Sequence, residues 1–244
     1  MRSSLDDRIE RANELAGIYP AASALLTFYS ALAHLQKQVF DDVRSKEQTD
    51  VRALARYFSR LTYLVRRSGP ETLADSAPKL TEDLLVEHWQ GIAAPDPAAR
   101  FFARVLLQPY AEYLASRADL RVEGTPATCP FCNARPSVAV LRGEGDGGKR
   151  SLLCSMCATE WLYRRVVCPS CGEENKDKLP IYVAAELDYM RVDACDTCHI
   201  YLKSVDLTKN GRALPVVDEI ATVVLDIWAE EHGYSKLEPN LLGM

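Results

Sequence analysis

No stretch of the chain approaches the roughly 18 consecutive apolar residues of a membrane span. The opening residues mix Arg2, Asp6, Asp7, Arg8 and Glu10 where a secretory leader would be basic and then apolar. A cytoplasmic protein without membrane insertion is therefore expected. A basic excess is missing too: 29 Lys and Arg stand against 34 Asp and Glu, a formal charge of -5, and residues 125–244 carry 13 against 17. Nucleic-acid binding draws mainly on phosphate neutralisation, so no nucleic-acid partner is expected. A Walker loop, a dinucleotide fingerprint and a nucleophile–base motif are also absent. Gly143, Gly145, Gly147 and Gly148 have neither a Lys-Ser/Thr helix start after them nor a βαβ pattern before them, and read instead as a mobile hairpin tip. No catalytic residue is expected, and no enzyme. Cysteine is wholly lacking before residue 129, whereas all eight cysteines fall between 129 and 198.

What is present, 48% hydrophobic and 26% charged residues over 244 positions, is globular and excludes fibrous and disordered classes. Up to residue 122 the pattern is helical. Ser4 caps a first helix with Asp7 as its partner three residues on, and Leu5, Ile9, Ala12 and Ala16 form the apolar stripe. Pro20 opens a second, with Leu25, Phe28, Leu32, Leu35, Val39 and Val43 inward. A third places Val51, Leu54, Phe58, Leu61 and Val65 inward, sets Arg52, Arg56 and Arg60 on a solvated face at i, i+4 spacing, and stops at Gly69-Pro70. Shorter helices follow from Thr81 to Gln90 and from Asp96-Pro97 towards Ala118, with Pro109 expected to kink or break the latter. Beyond residue 123 short β-prone runs appear at 137–142, 151–153, 180–184 and 190–194, and a last helix from Asp218 to His232 ends at Gly233.

All eight cysteines occur as C-x-x-C pairs: Cys129/Cys132, Cys154/Cys157, Cys168/Cys171 and Cys195/Cys198. Two intervening residues let both sulfurs of a turn face one ion, and two such turns complete a tetrahedron. Between the first two pairs lie 21 residues, between the last two 23 and between the inner pairs 10, a spacing that suggests a duplicated unit. The expected pairing is sequential, 129/132 with 154/157 and 168/171 with 195/198, against a cross-braced alternative. Disulfides and dithiol catalysis fit poorly, because cytosolic thiols stay reduced and no pair opens a helix in a βαβ unit. Ligand chemistry alone favours zinc, with mononuclear iron the rival. Four thiolates leave no open position, which argues against hydrolysis. His199, next to Cys198, reads as a half-exposed turn residue, and Trp161 and Trp228 as core.

Five segments go further. They are Cys129-Pro-Phe-Cys132 with Pro136; Arg150-Ser-Leu-Leu-Cys-Ser-Met-Cys-Ala-Thr-Glu-Trp161; Cys195-Asp-Thr-Cys-His-Ile-Tyr-Leu-Lys203; Asp218-Glu-Ile-Ala-Thr-Val-Val-Leu-Asp226; and Glu231-His-Gly-Tyr234. Together, over residues 125–244, they resemble the formate dehydrogenase accessory protein FdhE family. The resemblance implies a cytoplasmic assembly factor that binds the catalytic subunit of respiratory formate dehydrogenase before export. It also implies rubredoxin-like modules holding iron in two mononuclear sites through Cys129, Cys132, Cys154, Cys157, Cys168, Cys171, Cys195 and Cys198, with zinc as the alternative metal. The rival readings are a rubredoxin-like electron carrier and a zinc-ribbon module. The expected fold is α+β: a helical domain over 1–122, two small rubredoxin-like or zinc-ribbon-like four-cysteine modules over 123–166 and 167–210, and a C-terminal helix and tail over 211–244.

Overall fold

A computed structural model describes residues 4–76, 80–92, 96–144 and 147–244, with the side chains of 144 and 147 left aside. The first helix, α1 (Leu5–Ile18), begins with the expected capping box: the Asp7 amide donates to Ser4 Oγ at 3.1 Å and the Ser4 amide to Asp7 Oδ2 at 2.8 Å. Pro20 starts a 3₁₀ turn, Pro20–Ala22, which feeds α2 (Ser23–Ser45). The third helical stretch differs from expectation. Val51–Tyr57 is a 3₁₀ helix, and α3 (Phe58–Ser68) begins only at Phe58. Three residues per turn rotate a four-residue step by about 120°, so Arg52 and Arg56 do not share one face, although Arg52, Arg56 and Arg60 are all exposed. Val51, Leu54, Leu61 and Val65 are buried as expected, and Phe58 is half-buried.

Two short helices, α4 (Glu71–Asp75) and α5 (Glu82–Trp89), lead to α6 (Pro97–Arg117), whose first turn is capped by Asp96 through the amides of Ala98 and Ala99. Pro109 lies inside α6 without ending it. Proline removes the N–H that would have bonded the carbonyl four residues back. That carbonyl, on Val105, instead accepts from Gln36 Nε2 of α2 at 3.1 Å, so the neighbouring helix replaces the lost bond. Among the described residues no helix is long and apolar enough to cross a membrane.

The cysteine-bearing half builds one seven-stranded sheet. Its strands are β1 (Pro136–Glu144), β2 (Gly147–Cys154), β3 (Glu160–Leu162), β4 (Ile181–Val183), β5 (Met190–Cys195), β6 (Ile200–Asp206) and β7 (Ser235–Lys236). The order is β3-β2-β1-β6-β5-β4, with β7 pairing β6 in parallel. Each cysteine unit repeats one plan: a C-x-x-C turn, two antiparallel strands of which the second ends on the third cysteine, another turn, then a third strand. The units join head to tail where β1 and β6 run parallel through Ala139↔Ser204, Val140↔Val205 and Leu141↔Asp206. The β1–β2 ladder continues to Glu144↔Gly147. Gly143, Gly147 and Gly148, expected in a mobile tip, are therefore ladder residues, because the strands pair up to the turn; of that tip 145–146 lie outside the described residues, as do residues 1–3 of the opening stretch.

The single last helix expected from Asp218 to His232 is two, α7 (Pro215–Ala221) and α8 (Val223–Glu231), broken at Thr222. The cause is a long-range one. Lys203 Nζ of β6, wholly buried, takes the carbonyls of Glu219 at 2.5 Å and Thr222 at 3.3 Å, while Thr222 Oγ1 bonds back to the Asp218 carbonyl. Gly233, at φ +81°, ends α8 as expected, with the Tyr234 amide reaching the Ala229 carbonyl. The faces of α7 are shared between the two halves. Val217, Ile220 and Ala221 complete the helical core that holds Leu26, Leu54 and Phe102.

Candidate metal centres

The sulfurs of Cys129, Cys132, Cys154 and Cys157 lie within 4.8 Å of one another, as do those of Cys168, Cys171, Cys195 and Cys198, so the pairs associate sequentially and not by cross-bracing. In the first cluster the Cys129–Cys157, Cys132–Cys154 and Cys132–Cys157 separations are 3.5, 3.4 and 3.6 Å; in the second, Cys168–Cys198 and Cys171–Cys195 are both 3.7 Å. A tetrahedron with metal–sulfur bonds of about 2.3 Å has edges of about 3.8 Å, whereas a disulfide needs about 2.05 Å. The spacing suits a shared ion and no disulfide.

Local backbone geometry explains the convergence. Directly after the second cysteine of each pair the chain turns left-handed, at Asn133 (φ 60°), Ala158 (φ 49°), Gly172 (φ 78°) and His199 (φ 55°). These turns close amide bonds back to the first cysteine, Asn133 to Cys129 O at 2.9 Å, Gly172 to Cys168 O at 3.0 Å and His199 to Cys195 O at 2.8 Å. Further amides face the sulfurs: Met156 and Cys157 donate to Cys154 Sγ at 3.3 and 3.4 Å, and Ser170 to Cys168 Sγ at 3.4 Å. His199 is exposed and serves the turn instead of ligating.

Electrostatics call for a cation. Within the first cluster the neighbouring sulfurs push the Cys132 and Cys154 thiols far up, while Cys129, accepting from the other three, is pulled down. In the second, burial pushes Cys168 up to about 12. A divalent ion lets all four sulfurs ionise together, which is the chemistry that this donor set fits.

The surroundings of the two clusters differ. The first is nearly enclosed, and α6 grips its turn: Arg104 and Gln108 donate to the Ser155 carbonyl at 3.4 and 2.8 Å. The second is open, with Cys171 exposed. Arg150, 3% exposed, lies on the strand that ends in Cys154 yet donates to the Val167 carbonyl beside Cys168 and pairs with Asp193, two residues before Cys195. It thereby ties the units together. The run 218–226 takes its meaning only in three dimensions. Asp218 pairs with Arg11 of α1 at 2.6 Å; Glu219 and Asp226 share Lys203 and Lys236, and Tyr201 donates to Asp226 at 2.8 Å. Burial opposes the Glu219 charge, but Lys203 and Lys236 outweigh it and hold the carboxyl at about 2. Sequence reading missed these roles because every partner is remote. Trp161 is core as expected and Trp228 is half-buried against Tyr182 and His232.

Comparison with known proteins follows the same two-part layout. Residues 128–165 match the FdhE central domain and residues 166–242 the FdhE C-terminal domain. The chain is 39% identical over 150 residues to a protein FdhE homolog of Aquifex aeolicus, covering 61% of this chain and 53% of that one. It is 32% identical over 169 residues to a protein FdhE homolog of Pseudomonas putida, covering 65% and 52%. The chain thus spans about half the length of the curated relatives it matches. Among solved structures it is similar to the FdhE protein from Pseudomonas aeruginosa, with a TM-score of 0.74 and 25% identity over 99% of this chain and 97% of that one.

Proposed function

Residues 128–242 carry the central and C-terminal domains of the FdhE family, so the chain belongs to that family, and from this membership we propose that it is a cytoplasmic accessory factor in the maturation of respiratory formate dehydrogenase. It binds the immature catalytic subunit through its helical half and its cysteine units and turns over no small substrate. Each cluster holds one metal ion, iron in two mononuclear sites with zinc as the alternative, through Cys129, Cys132, Cys154 and Cys157 and through Cys168, Cys171, Cys195 and Cys198. A bound ion supplies a cross-link between two turns and, as iron, one-electron exchange. The chain's own groups do the rest: amide N–H groups stabilise thiolate charge, Arg104 and Gln108 fix the first cluster, and Arg150 spaces the second from it.

The observation that carries this reading is the pair of closed four-sulfur clusters within a family-matched sheet, a geometry with no position left for a substrate on the metal. The test mixes the purified, metal-analysed chain with the formate dehydrogenase catalytic subunit, alongside a salt titration against DNA and RNA. Stable association with the subunit is expected. Steeply salt-dependent nucleic-acid binding with no subunit recovered would overturn the reading in favour of a zinc-ribbon module. One observation, the exposure of Cys171, favours a second reading as a rubredoxin-like electron carrier. That reading requires a reversible colour change on reduction of the iron form at the second cluster.

A further inference from the structure

Beside the second cluster, on the side of Cys168 and Cys195 and away from the exposed Cys171, lies a concavity of about 200 Å³ between the first turn and the sheet. A cavity of about 150 Å³ already accepts a benzene ring. Beside the first cluster, by contrast, the void lined by Cys154 and Met156 measures about 30 Å³, room for a water at most. The second cluster thus has space for a ligand beside two of its cysteines, Cys168 and Cys195, which are lining residues.

The lining combines two kinds of surface. Val166, Leu179, Ile181 and Leu202 supply apolar walls, and Val166 and Ile181 stay 48% and 54% exposed. Arg150, Arg165, Lys176 and Arg191 supply four cations against a single carboxylate, Asp193. That carboxylate is shared, lying 3.3 Å from Arg150 and 2.8 Å from Arg191, so it cannot neutralise both. Arg150 is 3% exposed and its buried Nε–H has no hydrogen-bond partner, the kind of group that a native interior satisfies by a ligand or water. Even against the charge of about -2 on a divalent four-thiolate centre, the four cations and one acid leave the concavity net positive. Apolar walls with a few convergent charges are the make-up of small-ligand sites, and arginines favour oxyanions.

We propose that this concavity binds a small amphipathic oxyanion, an apolar body bearing one carboxylate or phosphate, against the second four-cysteine centre. The centre stays coordinatively closed, and the ligand lies on its Cys168–Cys195 face, between β4, β5 and the Cys168 turn. The first cluster is then a structural fastening and the second a ligand-facing one. The inference is independent of the client, since it concerns the isolated chain.

Titration calorimetry of the full metal-loaded chain with phenyl phosphate, benzoate and benzamidine tests it, with metal content and thermal midpoint measured on each sample. Phenyl phosphate and benzoate should saturate at one equivalent, and the cationic benzamidine should not. Lys176→Glu, at an exposed position, should weaken phenyl phosphate at least about tenfold while metal content stays at parent level; Ile181→Asp should do the same. Equal binding of benzamidine, no saturation by phenyl phosphate, or unchanged affinity in Lys176→Glu would overturn the proposal. So would a Lys176→Glu variant whose only change is loss of the second ion, because the cations would then serve the centre alone.

Discussion

Ala158 holds a left-handed backbone at φ 49° with a side chain only 6% exposed. An L-residue in that region costs about 1–2 kcal/mol, and glycine returns about 0.5–1 kcal/mol of that as unfolded-state entropy. Ala158→Gly should therefore stabilise the metal-loaded chain by about 0.5–1 kcal/mol, read from the denaturant midpoint; a loss would mean that the buried methyl contributes more than the strain. His88 gives a pH signature. Burial, then Arg104 and Arg100, lower it from its ordinary value to about 4. Its folded value lies below its unfolded one, so the unfolded chain binds the extra proton as pH falls below about 6.5, and stability declines from there towards pH 4. The stability curve of His88→Gln should be flatter than the parent's over that interval, and parallel curves would refute the point. At this scale the eight cysteines were legible because each pair is a local pattern. Of the left-handed positions Gly172 and Asn133 carry residue types suited to that region, whereas Ala158 and His199 give no such local signal and are placed there by the turn.

Among the elements, α6 owes its continuity through Pro109 to Gln36. Gln36→Leu should cost about 1–3 kcal/mol by stranding the buried Val105 carbonyl, as measured by chemical unfolding. In a Pro109→Ala background the helix recovers its own N–H donor, so the same substitution should cost clearly less; equal costs would show that the Gln36 bond is incidental. The α7–α8 break is held in the same way, by Lys203. Lys203→Met leaves Glu219 and Asp226, both buried, with Lys236 as their one paired cation beside the neutral donors Asn240 and Tyr201, and should cost about 3–5 kcal/mol. Long amphipathic elements were legible: α1 and α6 start where their caps stand, whereas α2 starts at Ser23, uncapped by a side chain, after the 3₁₀ turn that Pro20 opens. What escaped were β3 and β7, too short for an alternation to register, and β6, where a lysine interrupts the apolar run. The split at Thr222 escaped too, because its cause sits on a strand 19 residues away.

For the molecule as a whole, the boundary near residue 123 separates two compositions, yet residues of each half enter the other's core: Val217, Ile220 and Ala221 the helical one, Ala111 and Ala115 that around Cys129 and Cys157. Arg11 of α1 grips Asp218 through two bonds, of 3.0 and 2.6 Å, and Tyr189 of the cysteine-bearing half adds a third at 3.0 Å. Asp218 has no exposure, so each of these bonds lies inside the joint. Residues 217, 220 and 221 also fill the helical core, while α7 rests on β1 and β6, the strands that fuse the cysteine units. Mechanical continuity therefore runs from α1 through α7 to both clusters. Ligand formation is coupled to folding in four-thiolate sites, so Cys129→Ser should lose about one ion of the two and also lower the thermal midpoint of the helical half. Far-ultraviolet circular dichroism, dominated by 1–122, and thiol accessibility at the clusters should report one coincident transition in the parent chain. Residues 1–122 expressed alone should lack a cooperative transition, because the groove that α7 fills would be open to water. A fragment that folds with the parent's helicity and midpoint would show the two halves to be independent, and the Arg11–Asp218 joint to be a contact without energetic consequence.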